Sequence, residues 1–122
     1  MSSSHRRLLD PTPIDDVTTA QPMSEAWDAG NYQQLNVHLR VLQTTNVTAG
    51  TLRLLHAAVN KDGAYIPLDD GSGGFVEIAL GTEDYEFIQV DAFLRFLRWA
   101  PIGVTVTSNG KATAMVDIIA KD

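Results

Sequence analysis

Tyr32-Gln33-Gln34-Leu35-Asn36-Val37-His38-Leu39-Arg40-Val41 is the stretch that decides the fold class. Leu35, Val37, Leu39 and Val41 alternate with Asn36, His38 and Arg40. A period of two sends one set to each face of a sheet. One face is apolar and the other polar, as in an antiparallel sheet with one wet side. The pattern predicts a strand over residues 32–43.

On the C-terminal side, Asn46-Val47-Thr48-Ala49-Gly50 reads as a loop, and residues 51–60 as a second long strand. Leu52, Leu54, His56 and Ala58 fall on one of its sides, and Arg53, Leu55, Ala57 and Val59 on the other. Both sides are largely apolar, which places it centrally in a sheet. Asp62-Gly63 is a hairpin signal leading into residues 64–68, where Pro67 suits an edge. Residues 69–74 form a glycine-rich loop, and 75–80 a strand with Val76, Ile78 and Leu80 on one face. Residues 85–90 and 92–99 read as two further strands. Val90, Phe93, Leu94 and Leu97 also have helical spacing, but the short, aromatic-rich segment favours a strand. Pro101-Ile102-Gly103 breaks the chain. Residues 104–107 and 112–120 then pair as a hairpin across Ser108-Asn109-Gly110-Lys111, because Asn-Gly favours a type I′ turn.

These segments make about eight strands at a spacing of roughly 8–12 residues, as in an all-β sandwich or barrel. The expected fold is an antiparallel, jelly-roll-like β-sandwich over residues 23–122, preceded by a strand-like lead-in at 23–27. Its core should include Leu35, Val37, Leu39, Val116 and Ile118.

Residues 1–22 read differently. Pro11, Pro13 and Pro22 hold the backbone extended, and Leu8, Leu9, Ile14 and Val17 are its main apolar side chains. Such a segment buries too little to offset its ordering entropy. It is expected to be an extended arm that orders on a partner, with Leu8, Leu9, Ile14 and Val17 as the anchors.

The chain has 122 residues, which bounds it to one domain. Its net charge of −6 argues against nucleic acid, which would want a basic stripe. The absence of cysteine rules out disulfides and thiolate-held zinc. The N-terminal residues lack the apolar run of a signal peptide, and no segment has the length of a membrane helix. The expectation is therefore a protein made in a cytoplasm, without a nucleic-acid or membrane partner.

No constellation of residues points to catalysis. His5, His38 and His56 have no metal-ligand spacing. His56, on a mostly apolar face, reads as a structural histidine. Asp69-Asp70-Gly71-Ser72-Gly73-Gly74 lacks the alternating acids and closing Glu of a calcium loop. Glu83, Asp84 and Glu86 read as a solvated cluster, and no nucleophile sits in an elbow motif. The expectation is no catalytic residue, no cofactor and no metal. Phe93-Leu94-Arg95-Phe96-Leu97-Arg98-Trp99 interleaves two cations with large apolar residues, a pattern that favours binding faces. Arg95 and Arg98 are thus candidates for a partner-binding sheet face. Trp27, Tyr32, Tyr65 and Tyr85 could alternatively form a sugar-stacking platform.

The stretch from Trp27 to Val41, the Phe93 to Trp99 segment and the closing alternating strand resemble small β-sandwich proteins encoded among the virion genes of tailed bacteriophages. The resemblance spans residues 24–120 and is one of strand and turn pattern. It implies a non-enzymatic, homo-oligomeric structural protein located in a virion and made in the host cytoplasm. Its partner would be a capsid or other particle protein, and its role capsid decoration or head accessory. The alternatives are a carbohydrate-binding module and a head–tail connector or tail component.

Overall fold

A computed structural model describes residues 3–122. The chain is all-β, with one antiparallel sheet of seven strands. They are β1 (Ser3–Ile14), β2 (Trp27–Asp28), β3 (Gln34–Ala57), β4 (Ile66–Pro67), β5 (Glu77–Ala79), β6 (Asp84–Val90) and β7 (Phe96–Lys121). A single 3-10 turn, Met23–Glu25, stands where a strand-like lead-in is expected.

Two very long strands organise the molecule. β3 and β7 pair with each other from Gln34↔Lys121 to Ala57↔Phe96. The first half of β3 also pairs β6, from Leu35↔Val90 to Val41↔Asp84. The second half pairs β5 at Thr51–Arg53 and β4 at Leu55 and His56. β1 lines the far side of β7 over Ala112–Lys121, and β2 pairs β7 at Phe96 and Leu97. One half of the sheet is therefore ordered β1-β7-β3-β6, and the other holds β2, β4 and β5.

The alternation predicted from residues 32–43 holds. Leu35, Val37 and Leu39 are fully buried, as are Val116 and Ile118 opposite them, while Arg40 is exposed. Val76, Ile78 and Leu80 are buried as expected. The hairpin at Asp62-Gly63 forms, with Gly63 at φ 83°. No helix forms at 90–97; residues 91–95 are a connector and β7 begins at Phe96.

Three expected breaks are not chain reversals. The loop at 46–50 lies within β3, the break at 101–103 lies within β7, and the predicted Ser108-Asn109-Gly110-Lys111 hairpin is a bulge in β7. Between Thr45↔Lys111 and Val47↔Val106, two steps on β3 face five on β7, so β7 carries three extra residues. Asn46, Ser108 and Asn109 take left-handed backbone angles there, at φ 55°, 48° and 60°. Asn tolerates that region better than most residues, so its turn chemistry serves a bulge as well as a turn.

The pinch between the two strands demands glycine. A Cβ on Gly110 would sit 2.3 Å from the Asn46 carbonyl oxygen, and one on Gly50 2.7 Å from the Val104 Cα. Backbone cannot yield as a flexible side chain can. Gly110→Ala should therefore destabilise the protein by about 1–3 kcal/mol or more, the usual cost of overpacking. Chemical denaturation would read the loss, and an unchanged midpoint would mean the bulge adapts freely.

The segment expected to be a separate arm is continuous with the sheet. β1 is hydrogen-bonded to β7 along its length, with irregularities between Arg7 and Leu9 and between Leu9 and Thr12. Leu8 and Leu9 are buried and Ile14 is fully enclosed, all three within the same core cluster as Leu35 and Ile118. Val17, in the connector after β1, is 78% exposed. The apolar content of residues 1–22 is small but concentrated on positions that face the core.

Candidate functional site

The outer face of the β1-β7-β3-β6 half-sheet brings together His5, Arg7, His38, Tyr85, Phe87 and Asp117. Strand register dictates which ones meet. Arg7 on β1 lies opposite Asp117 on β7, Asp117 opposite His38 on β3, and His38 opposite Phe87 on β6. The next row holds His5, Ile119, Asn36 and Gln89, and the row on the other side holds Met115, Arg40 and Tyr85. A depression of about 250 Å3 opens between His5, His38, Arg40, Tyr85, Asp117 and Ile119.

Asp117 is the electrostatic centre. Its side chain is 18% exposed. Arg7 donates to it through Nε at 2.7 Å and Nη2 at 3.2 Å, and His5 Nε2 lies 2.9 Å from Oδ1. Burial alone would raise the carboxyl's pKa, but the hydrogen bonds from Arg7 and His5 outweigh it and hold the group below its ordinary value. A carboxylate so held ionised is suited to fixing cations, not to taking up a proton.

The β6 side of the face is aromatic. His38 Nδ1 is hydrogen-bonded to the Tyr85 hydroxyl, and the Phe87 ring meets His38 edge-on at 4.7 Å. Tyr85 and Phe87 remain 52% and 51% exposed, and Ile119 37%. Asn36 is 9% exposed, and its Oδ1 has no hydrogen-bond partner among the described residues. Rings beside fixed donors and acceptors can stack on and hydrogen-bond a ligand or another protein surface.

The sequence-predicted binding residues lie elsewhere. Arg95 is held in a fork by Asp28, with Nη2 at 2.8 Å from Oδ2, and stacks over Phe96 at 5.0 Å. Arg98 donates to the Gln21 carbonyl from Nε and Nη2 at 2.8 and 2.6 Å and lies 4.8 Å over the Tyr65 ring. The guanidinium groups thus tie Gln21 to β7 and Asp28 to the connector that precedes it, within the chain. Of the four rings considered as a platform, Trp27 and Tyr32 meet at 5.9 Å, Tyr65 sits under Arg98, and Tyr85 joins the outer face.

Sequence reasoning missed His5, Arg7, Asp117 and Phe87 as neighbours. His38 and Arg40 were marked by the alternation of their strand, and Tyr85 and Phe87 share the same parity in β6. What the sequence lacks is any sign that β6 and β1 flank the same strand pair.

The glycine-rich loop at 69–74 is closed by its own carboxylates. Asp69 Oδ1 accepts from Gly71 N at 2.6 Å, and Asp70 Oδ1 from Ser72 N at 2.7 Å. Among the described residues no group of three or more His, Cys, Asp or Glu is placed to hold a metal ion. Among the described residues no helix is long and apolar enough to cross a membrane.

No protein-family model, curated protein or solved structure matches the chain.

His56 behaves as the structural histidine expected. Its Nδ1 accepts a hydrogen bond from Leu94 N at 3.0 Å, which requires an unprotonated nitrogen. Burial pushes its pKa below the ordinary 6.5, opposed by the field of Asp69. The unfolded chain then binds the proton more readily than the folded one, so stability is full above pH 6.5 and declines as pH falls below that value. Asp117 and Asp28 are also depressed, from 3.8, and their contribution is lost at lower pH, below that value. The melting temperature should fall in two stages on acidification, and His56→Gln should remove the first. A melting temperature that rises between pH 7 and pH 5 would contradict this assignment.

Proposed function

We propose that the protein is a non-enzymatic structural component of a phage-type particle, a capsid decoration or head-accessory protein with a jelly-roll-like sandwich fold. The sandwich reading is supported by the register irregularities that β3 and β7 share between their two halves and by the core cluster to which both halves of the sheet contribute side chains. In this reading the protein is made in a host cytoplasm and located in the virion, and its partner is a capsid or other particle protein.

The observation that carries the reading is the outer face. Tyr85, Phe87 and Ile119 expose apolar surface beside an Asp117–Arg7–His5 cluster whose charges already neutralise one another. An apolar centre with a satisfied polar surround is the anatomy of a protein–protein contact. Attachment then runs through this face. Leu8, Leu9 and Ile14 hold β1 to its own core, which leaves Val17 as the exposed anchor of the expected set.

Particles assembled in cells that express the chain test this. The protein should co-purify with them, and Ile119→Asp, at the middle of the face on β7, should lower its occupancy about tenfold or more by placing a charge in an apolar contact. Its melting temperature should stay within a few degrees of the parent. Absence from particles, or equal occupancy for the variant, would refute the reading. Copy number separates decoration from a head–tail connector or tail component, since a connector forms a closed ring of about six or twelve.

A carbohydrate-binding module is the second reading. It is favoured by the exposed rings of Tyr85 and Phe87 next to His38 and the unpartnered Asn36 Oδ1. Binding to a glycan array that is lost with Tyr85→Ala would select it.

A further inference from the structure

We infer that this chain assembles edge to edge with copies of itself, the β6 edge of one copy pairing with the β1 edge of the next. Among the described residues β1 pairs only with β7, and β6 only with β3. Each therefore presents an uncovered row of backbone donors and acceptors, which is a template for another strand.

Strand direction selects the geometry. All four strands of this half-sheet pair antiparallel in the order β1-β7-β3-β6, so β1 and β6 run in opposite directions. Two copies in the same orientation then bring β6 against β1 of the neighbour as an antiparallel pair. The sheet continues from copy to copy, and each contact is head-to-tail, closing as a ring or extending as a file.

Charge selects the partner. β6 and its flanks carry Glu83, Asp84, Glu86 and Asp91 with no cation, whereas β1 opens with His5, Arg6 and Arg7. Pairing β6 with β6 would oppose acids, and β1 with β1 would oppose bases. A second copy supplies the complement of each edge. Arg6 and Glu86 are both exposed, and neither side chain has an ion pair or hydrogen bond among the described residues. Both also share the face of buried core residues, Arg6 opposite Ile118 and Glu86 opposite Leu39.

The register follows from that parity. Placing Glu86 opposite Arg6 of the next copy puts Tyr85 opposite its Arg7 and Phe87 opposite its His5. The half-exposed rings then meet the Arg7 guanidinium and the His5 ring on the outer face, a favourable cross-strand pairing. The remainder of β1 is guarded by Pro11, Pro13 and its two irregularities, which discourage strand addition. The stretch from Ser3 to Arg7 is left as the landing segment.

This assembly is independent of the particle reading and is measured on the isolated chain. Sedimentation of the full protein should show concentration-dependent oligomers that weaken with salt. Arg6→Glu and Glu86→Arg should each weaken association about tenfold or more, because like charges then oppose one another across the strands. The double variant should restore it. Both positions are exposed, so unchanged melting of each variant certifies the fold. Because the chain has no native cysteine, an equal mixture of Ser3→Cys and Gln89→Cys proteins should oxidise to the mixed dimer. A monomer at all concentrations, homodimers of either cysteine variant in preference to the mixed one, or a double variant as weak as the singles would overturn the proposal.

Discussion

A chain lacking Ser3–Ile14 should fail to fold cooperatively. β1 looks dispensable by composition, with two prolines and few apolar residues. Its three buried side chains decide otherwise. Leu8, Leu9 and Ile14 lie in the main core, and at roughly 1.5–3 kcal/mol each their burial sums to about 5–9 kcal/mol. That is comparable with the about 5–15 kcal/mol net stability of an ordinary domain. Removal would also uncover Ala112, Ala114, Val116 and Ile118 along β7, all fully buried. Far-UV circular dichroism on heating should show no sharp transition for the truncated chain. A truncated protein that melts like the parent would show that residues 3–14 are a detachable arm after all. Adding a synthetic Ser3–Ile14 peptide to the truncated chain should restore folding in part, since the vacated groove on β7 is complementary to it.

Leu39→Ala should be a costly truncation on β3. Leu39 is fully buried, lies opposite Val116 and shares the core face with Val37 and Val41. Removing a core leucine costs about 2–5 kcal/mol, the transfer term plus the cavity left behind. The neighbouring Arg40→Ala, on the exposed side of the same strand, should change stability by about 0.5 kcal/mol or less. Urea denaturation of the pair reads the parity of the strand directly. Equal losses for both would mean that the faces are inverted, since a one-residue slip exchanges every side chain between them.

The outer-face site was half legible in the sequence. His38 and Arg40 are marked as surface residues by alternation alone, because side-chain direction in a strand is a local consequence of the backbone. Tyr85 and Phe87 carry the same signature in β6. Asp117 and Arg7 stand 110 residues apart, and nothing local joins them. Their meeting depends on β1 adding to the outer side of β7, a choice made by Leu8, Leu9 and Ile14 finding the core. The intrachain contacts of Arg95 and Arg98 were no more legible. Interleaved cations and rings do make stacking contacts, but the acid and the ring they meet are the chain's own Asp28 and Tyr65.

Readable from the chain without its fold are the all-β class, the inward residues of β3, β5 and the end of β7, the Asp62-Gly63 hairpin and the structural role of His56. Each follows from period-two patterning or from turn chemistry within a few residues. Long-range pairing settled that residues 46–50 and 108–111 do not reverse the chain, and that β1 belongs to the sheet. Asn109-Gly110 has the dihedral preferences of a tight turn, and those preferences also suit a bulge. Which one forms depends on whether a partner strand runs on past it. Here β3 does so, with positive φ at Asn46 and Gly50 and shifted register beside them, so residues that signal a hairpin form a bulge within one continuous strand.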